Sequence, residues 1–141
     1  MKPTYFTMVV IGTILVSIIY TIPFVWAQSN NTNLTNMSDH VVTYLQQARR
    51  LLNQTKIEYE RGNTTGAEEL AIRAYLDNFE YVEVHLEQKG QHQLKEMIES
   101  MMRNDLRALI KERAPFQQLN EHINITDDKL IEAINVLSNG N

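Results

Sequence analysis

The sequence predicts an all-α protein, an antiparallel up-and-down four-helix bundle preceded by an N-terminal signal or anchor helix. Three observations lead to that fold class. Between residues 38 and 141 the apolar residues recur at spacings of three and four, the repeat of a helix with one buried face. The runs are interrupted at Gly62, Gly90 and Pro115, residues that stop or restart helices. No stretch alternates apolar and polar residues as a half-buried strand does, and no hairpin turn joins β-branched runs.

The first segment, residues 1–27, carries Lys2 at its start and an uncharged, mostly apolar run from Tyr5 to Ile22. Pro23 then breaks the helix, and Val25-Trp26-Ala27 suits a signal peptidase cutting between Ala27 and Gln28. The competing reading is an uncleaved membrane anchor, since the apolar run is nearly long enough to span a bilayer. Either way the remainder is expected to be extracytoplasmic, secreted or membrane-associated. Residues 28–37 are polar, Asn-rich and without periodicity, which reads as a disordered tether. Glycosylation sequons begin at Asn30, Asn33, Asn36, Asn53, Asn63 and Asn124. Three of them sit in the tether, as on a glycosylated surface protein, and a cysteine-free, sequon-rich exported chain suits an archaeal cell surface.

The bundle domain is expected to cover residues 38–141. Ser38-Asp39 caps a first helix ending near Arg61, with a stripe of Val41, Leu45, Ala48, Leu52, Thr55 and Tyr59. A second helix opens at Thr65, where Thr65 and Glu68 have capping-box spacing, and ends at Gly90. Its apolar arc holds Ala71, Ile72, Ala74, Tyr75, Phe79, Tyr81, Val82 and Leu86, and its acidic ridge holds Glu80, Glu83 and Glu87. The third helix, from about Gln91 to Ala114, buries Leu94, Met97, Ile98, Met101, Leu106 and Leu109. Asp105 falls inside that stripe, an unusual place for a carboxylate, which there needs a partner: an arginine such as Arg49 or Arg50, a tyrosine hydroxyl or a metal. Pro115 is expected to restart the chain with a short helical piece over residues 118–122. Thr126-Asp127-Asp128 then caps a last helix to Ser138, with Leu130, Ile131, Ile134 and Leu137 inward.

Composition removes whole classes of function. With 13 basic and 17 acidic residues the chain has a net charge of −4, unsuited to nucleic acid. There is no cysteine, so thiolate metal sites, cysteine nucleophiles, redox pairs and disulfides are excluded. No Gly-rich phosphate loop, nucleophile elbow or HExxH sequence is present, and the chain reads as no enzyme. None of the four histidines pairs with another at i,i+4 as a zinc helix would. Asp77, Glu80, Glu83 and Glu87, spaced by three, three and four, lie within reach of a hard cation such as iron or another divalent ion. The same spacing also describes a solvated face, with Arg73 pairing to Asp77.

The run Ala74-Tyr75-Leu76-Asp77-Asn78-Phe79-Glu80-Tyr81-Val82-Glu83 resembles the extracytoplasmic helical domain of high-affinity iron permeases. Met101-Met102-Arg103-Asn104-Asp105-Leu106-Arg107 is similar to the helix that follows in that domain. The resemblance implies a helical bundle outside the membrane that takes part in iron capture or delivery, with Asp77, Glu80 and Glu83 at the matching positions. The permeases transport through Arg-Glu-Gly-x-Glu motifs in membrane helices, and this sequence has none. Two functions follow as expectations. One is an exported, non-enzymatic domain that binds or hands on a metal cation through Asp77, Glu80, Glu83, Glu87 and Asp105 beside a membrane iron permease. The other is a glycosylated interaction protein of the cell envelope with no metal role.

Overall fold

The computed structural model describes the backbone of residues 32–139 and the side chains of residues 40–139. The signal or anchor segment, residues 1–27, and the sequon asparagine Asn30 lie outside the described residues. Every described element is helical, and there are four helices: α1 (Thr32–Glu60), α2 (residues 64–88), α3 (residues 92–111) and α4 (Phe116–Ser138). From Asn36 onward they belong to one compact unit with one apolar core. No helix among the described residues is long and apolar enough to cross a membrane.

Helix α1 begins at Thr32, within the stretch read as tether and ahead of the expected Ser38–Asp39 cap. Its stripe is as the periodicity requires: Val41, Leu45, Ala48, Leu51, Leu52 and Thr55 are buried, and Tyr59 packs against them. Thr55 satisfies its buried hydroxyl by donating to the Leu51 carbonyl at 2.9 Å. The Tyr59 hydroxyl donates to the Ala114 carbonyl at 2.6 Å, fastening the end of α1 to the α3–α4 turn.

The three turns share one hydrogen-bond pattern. After α1, Gly62 N–H reaches the Tyr59 carbonyl and Asn63 N–H the Glu58 carbonyl. After α2, Gly90 and Gln91 repeat it onto Glu87 and Leu86, and after α3, Arg113 and Ala114 repeat it onto Ile110 and Leu109. These are Schellman turns, which need a left-handed residue at the pivot. Gly62 (φ 82°) and Gly90 (φ 70°) supply it without strain, whereas Arg113 (φ 53°) is the one described non-glycine residue with positive φ.

Helix α2 opens one residue ahead of the Thr65–Glu68 box. The cap is Asn63, whose Oδ1 accepts from Gly66 N–H at 3.0 Å. Gly66 fits there because a Cβ would come within 2.4 Å of Asn63 Nδ2. Both α2 and α3 widen into a π-turn midway, over Tyr75–Phe79 and Met101–Asp105. The buried series explain why. In α3 they are Leu94, Ile98, Met102, Leu106 and Ile110, spaced by four throughout. At 3.6 residues per turn a spacing of four drifts by about 40° each step. A turn closed i→i+5 uses more residues per circuit and cancels that drift. Each π-turn also gains a side-chain donor: Asn78 Nδ2 to the Arg73 carbonyl at 3.0 Å, and His122 Nε2 of α4 to the Met101 carbonyl at 2.8 Å.

The π-turns overturn several expectations based on a uniform helix. Asp105 is exposed, Met101 is only half-buried, and Met102 takes the core position; Met97, ahead of the π-turn in regular helix, is exposed as well. Arg49 pairs with Asp127 rather than with Asp105. On α2, Tyr81 faces solvent instead of the core. Helix α4 brings another correction: it runs unbroken from Phe116, with Pro115 just before its first turn. Leu119, Ile123, Thr126, Leu130, Ala133 and Leu137 form a single buried stripe across the supposed Thr126 boundary, and Ile131 is exposed. Thr126 stays helical because its buried hydroxyl donates to the His122 carbonyl at 2.8 Å. Helix α2 packs on α3 and α4, and α3 on α4. Helix α1 meets α4 through Arg49–Asp127 and Lys56–Asn124, and α2 through stacked Tyr44 and Tyr81 rings 5.2 Å apart.

Candidate functional site

The polar chemistry of the chain collects along the seam between α2 and α3. Four residues of α3, Lys95, Glu99, Arg103 and Arg107, recur every four positions and stay in line for the same reason as the core series. They face Glu87, Glu83, Tyr75 and Glu68 of α2. At one end Glu87 accepts from Lys95 at 3.3 Å and from His92 Nδ1 at 3.1 Å. The His92 and Lys95 contacts, in that order, hold the Glu87 carboxyl below its usual range.

Mid-seam, the buried Tyr75 hydroxyl donates to Glu83 at 3.0 Å, with Glu99 3.5 Å away. One phenolic proton serves one carboxylate well, so Glu99 draws instead on Arg103 at 2.9 Å. The Arg103 guanidinium also lies over the Tyr75 ring, 5.9 Å from its centroid. Burial, then the bond to Glu83, pushes the Tyr75 phenol up. Burial chiefly, then the nearby Glu99 charge, pushes Glu83 up, while the Tyr75 hydrogen bond pulls the other way. The phenol is therefore a fixed donor at neutral pH.

Next to this network an open notch of about 240 Å³ lies between α2 and α3, lined by Ile72, Tyr75, Leu76, Glu80, Arg103 and Arg107. Arg107 is poorly served there. Its Nη2 lies 3.6 Å from Glu68, and its Nε is the one buried side-chain N or O among the described residues with no hydrogen-bond partner. A buried donor left unpaired costs about 1–3 kcal/mol, so such an atom needs a reason to be there. A wider polar groove of about 530 Å³ lies between α1 and α4, where Arg49 is committed to Asp127 and Lys56 to Asn124.

The structure disperses the acids that the sequence grouped. Asp77 pairs with Arg73 at 3.4 Å, Glu80 lines the notch, Glu83 bonds Tyr75, Glu87 bonds His92 and Lys95, and Asp105 faces solvent on α3. An iron centre needs several hard oxygen donors around one point. Among the described residues no three His, Asp or Glu side chains come together in that way.

The sequons are also sorted by the fold. Thr55 and Thr126, the hydroxyl residues of the Asn53 and Asn124 sequons, are buried and bonded within their helices. Asn63 is exposed, but its Oδ1 caps α2 and its Nδ2 donates to Glu58 at 2.7 Å. Asn33 and Asn36 lie on the helical backbone of α1.

Sequence reasoning missed Tyr75 as a polar residue, and Glu99, Arg103 and Arg107 as its neighbours. The signal was present in the every-fourth spacing of charges on α3, which mirrors its buried series. No family model, curated protein or solved structure matches this chain.

Proposed function

We propose that the chain is an exported, non-enzymatic helical module of the cell envelope that docks a partner protein through the outer side of α2. One observation carries the reading. Tyr81 and Val84 of α2, three residues apart on the helix, are 58% and 55% exposed, and Tyr81 stacks on the exposed Tyr44 of α1. Apolar surface left in water forgoes about 25 cal/mol per Å², and adjoining apolar side chains outside a core mark an interaction surface. The four helices are taken as an antiparallel up-and-down bundle. Three tight turns support this, as do the contacts that set α1 beside both α2 and α4. Residues 1–27 provide export, as signal or anchor. The partner to try first is a membrane iron permease, the class implied by the Ala74–Glu83 resemblance.

The test is photo-crosslinking in intact cells, with the reactive residue placed at Tyr81 or at the exposed α1 position Gln54. One adduct of defined mass from position 81, absent from position 54 and lost in Val84→Ser, supports docking. Equal labelling from both positions refutes it. The metal-handling alternative has one arrangement in its favour, the convergence of Tyr75, Glu83 and Glu99 oxygens at 3.0 and 3.5 Å. Calorimetric titration with Fe²⁺, Fe³⁺ and Mn²⁺ separates the readings. Binding that is lost in Glu83→Gln favours metal handling, and identical isotherms for the two proteins exclude it.

A further inference from the structure

We propose that the notch between α2 and α3 binds an α-carboxylate borne next to an aliphatic side chain. The carboxylate would sit on Arg107 and Arg103, and the side chain against Ile72 and Leu76. The volume, about 240 Å³, is below the ~300–1,000 Å³ of drug-sized pockets and suits a single amino-acid residue. Its walls are divided by chemistry: Ile72, Leu76 and the Tyr75 ring are apolar, and the charged groups are two arginines and one glutamate. Arg107 has an unused donor at Nε and only a long contact from Nη2. Rotation of its guanidinium toward the notch lets Nε–H and an Nη–H donate together to one carboxylate, the paired geometry for which arginine is built. Arg103, held in place by Glu99 and the Tyr75 ring, adds the second cation.

Glu80 has no cation or hydrogen-bond partner among the described residues and completes the complementarity. It would accept either the ammonium of a free amino acid or the last amide N–H of a polypeptide chain. The π-turns add a separate indication. Tyr75 and Leu76 belong to one and Arg103 to the other, and such turns inside helices are frequent at functional sites. The inference goes beyond docking through Tyr81. That residue stacks on α1, whereas the notch opens along α3, so either reading can fail while the other holds.

The experiment is isothermal titration of the full-length protein with leucine, N-acetylleucine and leucinamide. At least one carboxylate ligand is expected to bind and leucinamide is not. Arg107→Gln should weaken binding at least tenfold, and Arg107→Lys should restore part of it, since charge without the fork is retained. Tighter binding of N-acetylleucine assigns the site to a polypeptide C-terminus. Tighter binding of leucine, weakened in Glu80→Gln, assigns it to a free amino acid. Arg103→Gln gives a second reading of the same cation pair should the Arg107 variants not fold. No binding by either carboxylate, binding of leucinamide as tight as theirs, or unchanged affinity in a folded arginine variant overturns the proposal.

Discussion

Replacing Arg107 with methionine removes a guanidinium whose Nε–H is buried without an acceptor and whose contact to Glu68 is 3.6 Å long. The unpaired donor costs about 1–3 kcal/mol. A half-exposed ion pair of that length returns about 0.2–1 kcal/mol. Methionine keeps an unbranched stem for the packing that the arginine methylenes supply. The balance favours Arg107→Met by about 1 kcal/mol, which for a domain of 60–100 residues raises Tm by about 4–8 °C. Urea unfolding followed by circular dichroism measures it as a higher midpoint at unchanged slope. A lower midpoint at unchanged slope would mean that Nε is satisfied in the folded protein, and the case for a missing acceptor would fall with it. A gain in stability would fit the pattern in which a binding residue is kept at the expense of stability.

Further expectations follow from other parts of the fold. Arg113 sits at φ 53° in a turn where the two equivalent positions are glycine, and its side chain has no described partner, so Arg113→Gly should stabilise by about 0.5–1 kcal/mol in urea melts. Asn78, buried at the first π-turn, donates to the Arg73 carbonyl; Asn78→Ala should cost about 1–2 kcal/mol, with hydrogen-exchange protection lost first around residues 73–79. Glu83 is held above its ordinary value, so the folded state takes up its proton first. Wild type should therefore gain stability relative to Glu83→Gln as pH falls through that raised value, in full below the ordinary carboxyl range, and lose it as pH rises. Thermal melts of both proteins between about pH 4 and pH 7 would show it, and parallel curves would contradict the burial of Glu83.

Much of the helix map was legible because its causes are local. Gly62 and Gly90 close their helices through bonds that span a few residues, and the α1 stripe follows from 3.6-residue geometry alone. Asp105 shows where such reasoning stops. A uniform helix sets it in the core stripe, but with the π-turn at residues 101–105 Met102 takes a core position, Leu106 keeps the one expected of it, and Asp105 is left in water. Thr126-Asp127-Asp128 has the composition of a cap, yet Asp127 is paired with Arg49 across the structure and Thr126 is bonded to the turn before it. The candidate site is half visible in the sequence: Glu80 and Glu83 belong to the acidic ridge, and Arg103 and Arg107 lie in the second resembling stretch. Nothing along the chain said that these groups would meet.

By itself the sequence determined an all-helical chain, the breaks near residues 62, 90 and 115, and one buried face per helix. Capping, glycine pivots and apolar periodicity act within a turn or two of the chain and need no partner. Tertiary structure alone decided the phase of each helix beyond its midpoint, the continuity of α4, and which charges share the seam. Those depend on the surface a neighbouring helix presents. A core series spaced by four stays in contact only if the helix widens, and the helix widens only because packing across the core holds it there.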